Sequence, residues 1–124
     1  MNQHVTLRLA ACLGALAVIV GAFGAHGLEP TLESLGTKHI YELASRYHFY
    51  HVFALLMTGI LMSYSNSKRL GYAAICFVIG MLFFCGSLYT MSLIKLKFLG
   101  PITPIGGVFL ILGWVFVALG IQKK

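Results

Sequence analysis

The sequence predicts an all-α membrane protein: a four-helix transmembrane bundle with a short amphipathic helix between the first and second spans. Three observations carry this prediction. Hydrophobic residues make up 59% of the 124 residues and charged residues only 10%, against about 25% charged in a soluble domain. The apolar residues fall into four runs separated by polar stretches. Most of the lysines and arginines lie between those runs, as loop charges do in membrane proteins. Lipid can cover apolar side chains provided the backbone satisfies its own hydrogen bonds, which a helix does. The length suits a single integral membrane domain over residues 1–124.

The first span is expected over residues 5–25. From Leu9 to Ala25 no charge interrupts the run, and Arg8 can snorkel to the interface. Arg8 and the short stretch before it argue against reading Leu9-Ala-Ala-Cys12 as a lipoprotein signal; Arg8, the apolar run and Gly24-Ala25 also resemble a secretory leader, but the run is read as the first transmembrane helix. Ala10, Gly14, Ala17, Gly21 and Ala25 recur at steps of three or four. They give the helix a small face on which another helix can approach closely.

A polar stretch follows, from His26 to about Arg46. Gly27 and Pro30 punctuate it. Ile40, Leu43 and Tyr47 give residues 38–46 an apolar face at helical spacing. This segment either lies on the membrane surface or extends the second span. Glu42 and Arg46 stand four apart and are expected to pair on the helix surface.

The second span is expected over residues 47–64, closed by the polar turn Ser65-Asn-Ser-Lys-Arg69. The third runs over residues 70–93, long enough to cross with some tilt, and is closed by Lys95 and Lys97. In the last connection Thr103 is the expected N-cap and Pro104 the first helical residue of a fourth span over residues 104–121. Gly106, Gly113 and Gly120 repeat every seven residues, so all three fall on nearly one line of that helix.

Four spans put both ends on one side. Five Lys or Arg residues (Arg8, Lys68, Arg69, Lys123, Lys124) fall there, against four (Lys38, Arg46, Lys95, Lys97) on the other. The bias favours cytoplasmic termini. The net charge of +6 does not indicate nucleic-acid binding, because the basic residues are scattered rather than striped on one face. The expected partners are the lipid bilayer and either further copies of the chain or another membrane protein.

Catalytic signals are weak. The three cysteines all sit in apolar runs and read as small buried residues. Cys76 and Cys85 are nine apart, on opposite sides of a helix. Glu29, Glu33 and Glu42 are the only carboxylates, and none lies in a span. No phosphate loop is present, and no nucleophile is paired with a base. An enzyme is not supported, and no cofactor is implied.

The layout nevertheless gathers unusual residues at the membrane face opposite the termini. His26 ends the first span, His48 and His51 begin the second, Ser87 and Tyr89 lie toward the end of the third, and Thr103 begins the fourth. His48 and His51 share one helix face. Imidazoles at membrane depth must be satisfied. They are hydrogen-bonded to backbone or to Tyr47, Tyr50 and Tyr89, or else His26, His48 and His51 hold a metal, a haem or a small ligand or relay protons. Tyr47, Tyr89, Ser87 and Thr103 would support such a site. The glycines Gly14, Gly21, Gly106, Gly113 and Gly120 point instead to a scaffold or accessory protein acting through helix–helix contacts. Permeation of a small molecule or ion is the third reading.

The motifs Gly21-Ala-Phe-Gly-Ala-His-Gly27, Tyr47-His-Phe-Tyr-His51, Gly86-Ser-Leu-Tyr89 and Gly100-Pro-Ile-Thr-Pro-Ile-Gly-Gly107, together with Trp114, resemble the YgdD/YwdK family. These are small bacterial inner-membrane proteins of unknown function. The resemblance covers nearly the whole chain. It implies a multi-pass protein of the bacterial inner membrane with four spans, and it supplies no catalytic residues.

Overall fold

A computed structural model describes residues 1–94 and 97–122. Lys95, Lys123 and Lys124, on which part of the charge count rests, lie outside the described residues. The regular structure of the described residues is all helical: α1 (Gln3–Ala25), α2 (Glu29–Leu35), α3 (Lys38–Leu61), α4 (Lys68–Leu93) and α5 (Ile102–Gly120), with a 3-10 turn at Lys97–Leu99. Three of them, α1, α4 and α5, are long and apolar enough to cross a membrane. Helix α3 has 24 residues, enough to span, but its first turns carry Lys38, Glu42 and Arg46.

Of the two readings of residues 38–46, continuation into the following helix is the one observed: they are the first turns of α3, unbroken through Arg46. Other local expectations are corrected. The short helix after α1 is α2, with Pro30 in its first turn, where a missing N–H costs nothing. It ends on Gly36, whose φ of 69° is the left-handed value glycine adopts freely. The last helix starts two residues early, at Ile102, with Pro101 as its cap residue. Pro101 has φ −67° and ψ −21°, already helical, so Thr103 is not needed as a cap. The ion pair also differs. Lys38 Nζ reaches Glu29 at 3.0 Å and Glu33 at 3.7 Å, which ties α2 to α3. No Glu42–Arg46 pair forms among the described residues.

The long helices pack in chain order: α1 on α3, α3 on α4, α4 on α5. The α4–α5 interface is the most extensive, and α1 and α5 form no packed interface with each other. The array is therefore open, with α3 and α4 in the middle and α1 and α5 at the edges. Its core lies where α3 meets α4, around the fully buried Leu55, Ala73, Ala74 and Phe77.

Polar groups staple the two ends. At the end holding both termini, Gln3 Nε2 donates to the carbonyl of Gly59 at 3.0 Å. There Ser65 Oγ also donates to the carbonyl of Gly120 at 2.7 Å, satisfying one of the carbonyls that a helix C-terminus leaves open. At the opposite end Thr37 Oγ1 donates to the carbonyl of Ser92 at 2.5 Å. Tyr41 donates its hydroxyl to the carbonyl of Val20, because Gly24 leaves room for the Tyr41 ring against α1.

Candidate functional site

The glycines singled out by the sequence all face neighbouring helices of the same chain. A Cβ on Gly14 would lie 3.3 Å from Val52, and one on Gly21 would lie 3.4 Å from Ser45, so both sit against α3. Gly106 faces the backbone at Phe84, Gly113 the ring of Phe77 and Gly120 the side chain of Leu70. The seven-residue line therefore seats α5 on α4. Close backbone approach of this kind suits membrane helices, which gain by packing rather than by hydrophobic exclusion of water.

The histidines separate. His26 follows α1, is exposed, and donates Nδ1–H to the carbonyl of Ala22 at 2.9 Å. His48 and His51 are both buried, each at 5% exposure, but they serve different partners. His48 Nδ1 lies 3.1 Å from the hydroxyl of Tyr89 and lines a narrow cleft between α1 and α4. His51 turns toward α5. Among the described residues no cluster of three His, Cys, Asp or Glu side chains that could hold a metal occurs.

Both ring nitrogens of His51 are occupied. Nδ1 lies 2.8 Å from the carbonyl of Tyr47. A carbonyl only accepts, so Nδ1 carries the proton. Nε2 is then the acceptor, and the indole N–H of Trp114 donates to it at 3.1 Å. This fixes the neutral tautomer, with no lone pair free for a metal. The remaining predicted polar residues form a separate pair: Ser87 Oγ and Thr103 Oγ1 stand 2.6 Å apart, joining α4 to α5. Ser87 also donates to the carbonyl of Phe84 at 3.0 Å.

Around His51 and Trp114 lies a groove of about 580 Å³. Its walls are Tyr47, Tyr50 and His51 from α3 and Gly107 and Trp114 from α5, and Phe84 of α4 forms its floor. The rings touch in sequence. Tyr47 stacks on His51 at 6.0 Å and 13° and meets Phe84 edge-on at 5.0 Å. Trp114 meets His51 at 6.0 Å and Phe77 at 5.3 Å. Reasoning from sequence noted Tyr47, Tyr50, His51, Gly107 and Trp114 but missed Phe84, Leu110 and Ile111, which also line the groove. The one available signal was Trp114 itself, the single tryptophan of the chain.

The lining restricts the chemistry. It holds no charged side chain, so an anion has no partner. An organic cation would meet aromatic faces worth about 2 kcal/mol when desolvated, against a cost of about 2.5–3.5 kcal/mol or more for a bare charge at membrane depth. A neutral, mostly apolar molecule fits best. Outside the apolar core, burial-independent charge pairing dominates: Lys38 holds the Glu29 carboxyl below its ordinary value of 4.5, and Glu29 in turn raises the Lys38 ammonium above 10.5.

Comparisons with known proteins agree with this membrane architecture. A model of the family described as DUF423, a protein of unknown function, matches residues 20–107. A UPF0382 membrane protein of Staphylococcus epidermidis is 41% identical over 123 residues, covering 98% of both chains. A UPF0382 membrane protein of Staphylococcus saprophyticus is 40% identical over 121 residues, covering 98% of this chain and 99% of its own. The UPF0382 membrane protein YwdK of Bacillus subtilis is 34% identical over 122 residues, again covering 98% of both. No solved structure matches. With more than half its length matched by the family model and almost all of it aligned to these relatives, the chain belongs to the DUF423 family of membrane proteins, the family of YwdK.

Proposed function

We propose that the chain is a single four-crossing domain of the bacterial inner membrane. It works there as a small accessory or scaffold protein that presents α1 to another membrane helix. In this reading α3 is the second crossing, α2 is the short helix between the first two, and both termini are cytoplasmic. The two polar staples at opposite ends of the array suit an up-down-up-down path.

The observation that carries the scaffold role is a second small face on α1. Its first small face, Ala10, Gly14, Ala17 and Gly21 with the buried Gly24 in place of the expected Ala25, which is exposed, is used against α3. A quarter-turn around the helix, Ala11, Ala15, Ala22 and Ala25 are all exposed and lie within about 80° of one another, with the exposed Val18 the one large residue among them. The fold leaves this stripe unused. Small stripes are where membrane helices meet.

Cysteine cross-linking in native membranes tests it. In a Cys12→Ser background, Ala15→Cys should give an oxidised adduct, either a dimer or a complex with a partner. Phe53→Cys, 62% exposed on the outer face of α3, should not. Equal cross-linking at both positions would reject the interface.

A further inference from the structure

We propose that the groove between α3 and α5 is a binding site for a neutral, lipid-soluble molecule whose flat conjugated ring carries a carbonyl acceptor, the quinone class of chemistry. This is separate from the α1 interface: it lies on other helices and uses other residues.

Four features converge on that ligand. The first is size. A groove of about 580 Å³ falls within the range of about 300–1,000 Å³ typical of small-molecule sites. The second is the wall chemistry. Tyr47, His51, Phe84 and Trp114 offer ring faces and edges at fixed angles to one another. Such walls select a flat ring over a flexible chain. The third is the placement of polar groups. The Trp114 N–H and both His51 nitrogens are consumed by each other and by the Tyr47 carbonyl. The hydroxyls of Tyr47 and Tyr50, by contrast, have no partner among the described residues. Tyr50 is 57% exposed, at the rim. The site thus offers donors and lacks charge, which matches a carbonyl and not an ion. The fourth is access. The edge helix α5 contacts α4 and not α3 as a packed pair, so the groove opens sideways, toward the lipid that would deliver an apolar ligand.

The His51–Trp114 bond gives the site its rigidity. It crosses the groove, spans 63 positions of sequence and holds the indole in one orientation. A preformed wall lowers the ordering cost of binding.

The single tryptophan makes the test direct. Purified protein in phospholipid nanodiscs is titrated with a decyl-substituted benzoquinone while Trp114 fluorescence is followed. Saturable quenching is expected. Gly107 is the blocking position, because a Cβ there meets the Phe84 ring only at 3.7 Å, ordinary contact. Gly107→Ala should therefore bind like the wild type, and Gly107→Leu should weaken binding at least tenfold. Ile111→Phe, at a position 64% exposed on the groove lip, serves as a second blocker that leaves the α4–α5 seat untouched. The double substitution Tyr47→Phe with Tyr50→Phe should weaken the quinone several-fold and leave a decyl-naphthalene, which has the ring and no carbonyl, unchanged. Linear quenching that never saturates, or equal affinity in the wild type and both blocked variants, would overturn the site. Equal affinity for the quinone and the naphthalene would overturn the carbonyl recognition.

Discussion

The indole N–H of Trp114 donates to Nε2 of His51 at 3.1 Å, although the helices that carry them, α5 and α3, share no extensive interface. The bond is the polar link across a groove walled by rings together with Gly107, Leu110 and Ile111. It also defines the tautomer of a buried histidine, since the other nitrogen already donates to Tyr47.

Removing either partner strands the other in an apolar setting. His51→Ala and Trp114→Phe should each lower stability by about 1–3 kcal/mol. A double-mutant cycle should return a coupling of about 0.6–1.7 kcal/mol, the range for interhelical hydrogen bonds in membranes. Reversible unfolding in mixed micelles gives the numbers. A coupling of zero would mean that the bond contributes nothing.

The glycines of α5 should rank by what their missing Cβ would strike. At Gly106 it would lie 2.3 Å from the backbone nitrogen of Phe84, which cannot move aside. At Gly113 it would lie 2.6 Å from the Phe77 ring, which can rotate at some cost. At Gly107 it finds ordinary contact. Alanine substitutions should therefore destabilise in the order Gly106, Gly113, Gly107, with the first costing about 3 kcal/mol, at the upper end of overpacking, and the last near zero. Thermal melts of the three proteins check the order.

Ser87 and Thr103 join α4 to α5 by a 2.6 Å hydroxyl pair. Thr103→Val keeps the shape and removes the hydroxyl. Ser87 still has the Phe84 carbonyl to donate to, so the loss should be modest, about 0.6 kcal/mol. Ser87→Ala should cost a similar amount, and the double variant no more than the sum. A loss above about 2 kcal/mol would show that the pair does more than join helices.

The Glu29–Lys38 pair sets a pH window for α2. Glu29 is depressed below 4.5 by Lys38, so its contribution is present above its unfolded value and is lost as pH falls through the lower folded one. Lys38 is raised above 10.5 by Glu29, so its contribution is present below that value and is lost as pH rises through the folded one. Both side chains are more than a third exposed, and salt should weaken the pair. In amide exchange over residues 29–35, wild type should be better protected than Glu29→Gln at pH 6, and the difference should shrink as pH falls below 4.5. A difference that does not shrink in acid would assign it to something other than charge.

Composition and the four apolar runs were enough to read an all-helical membrane protein, because lipid exposure leaves a signal at every position of a span. What failed locally depended on contacts made by distant residues. Thr103 looks like a cap beside Pro104, yet Pro101 is already helical and Thr103 turns to Ser87. Glu42 and Arg46 have the spacing of a pair, but Lys38 is drawn to Glu29 and Glu33 on the neighbouring helix. The line of Gly106, Gly113 and Gly120 is visible in the sequence; that it seats on Phe84, Phe77 and Leu70 of the same chain is not. The groove was least legible of all. His51 and Trp114 are brought together only by their separate packing on α4, and Gly107 matters through a volume it leaves open rather than through any motif.

Packing in chain order has a consequence for biogenesis. Each long helix after the first has a packed interface with the long helix synthesised just before it. The α1–α3 hairpin, closed by Tyr41 on Val20 and by Gln3 on Gly59, can assemble while α4 is still in the ribosomal tunnel. Helix α5 arrives last and finds its seat already built. Three polar contacts must wait for later chain: Thr37 for the carbonyl of Ser92 at the end of α4, and Ser65 and His51 for Gly120 and Trp114 of α5. A protein this small can mature during insertion, one helix at a time, without a rearrangement afterwards.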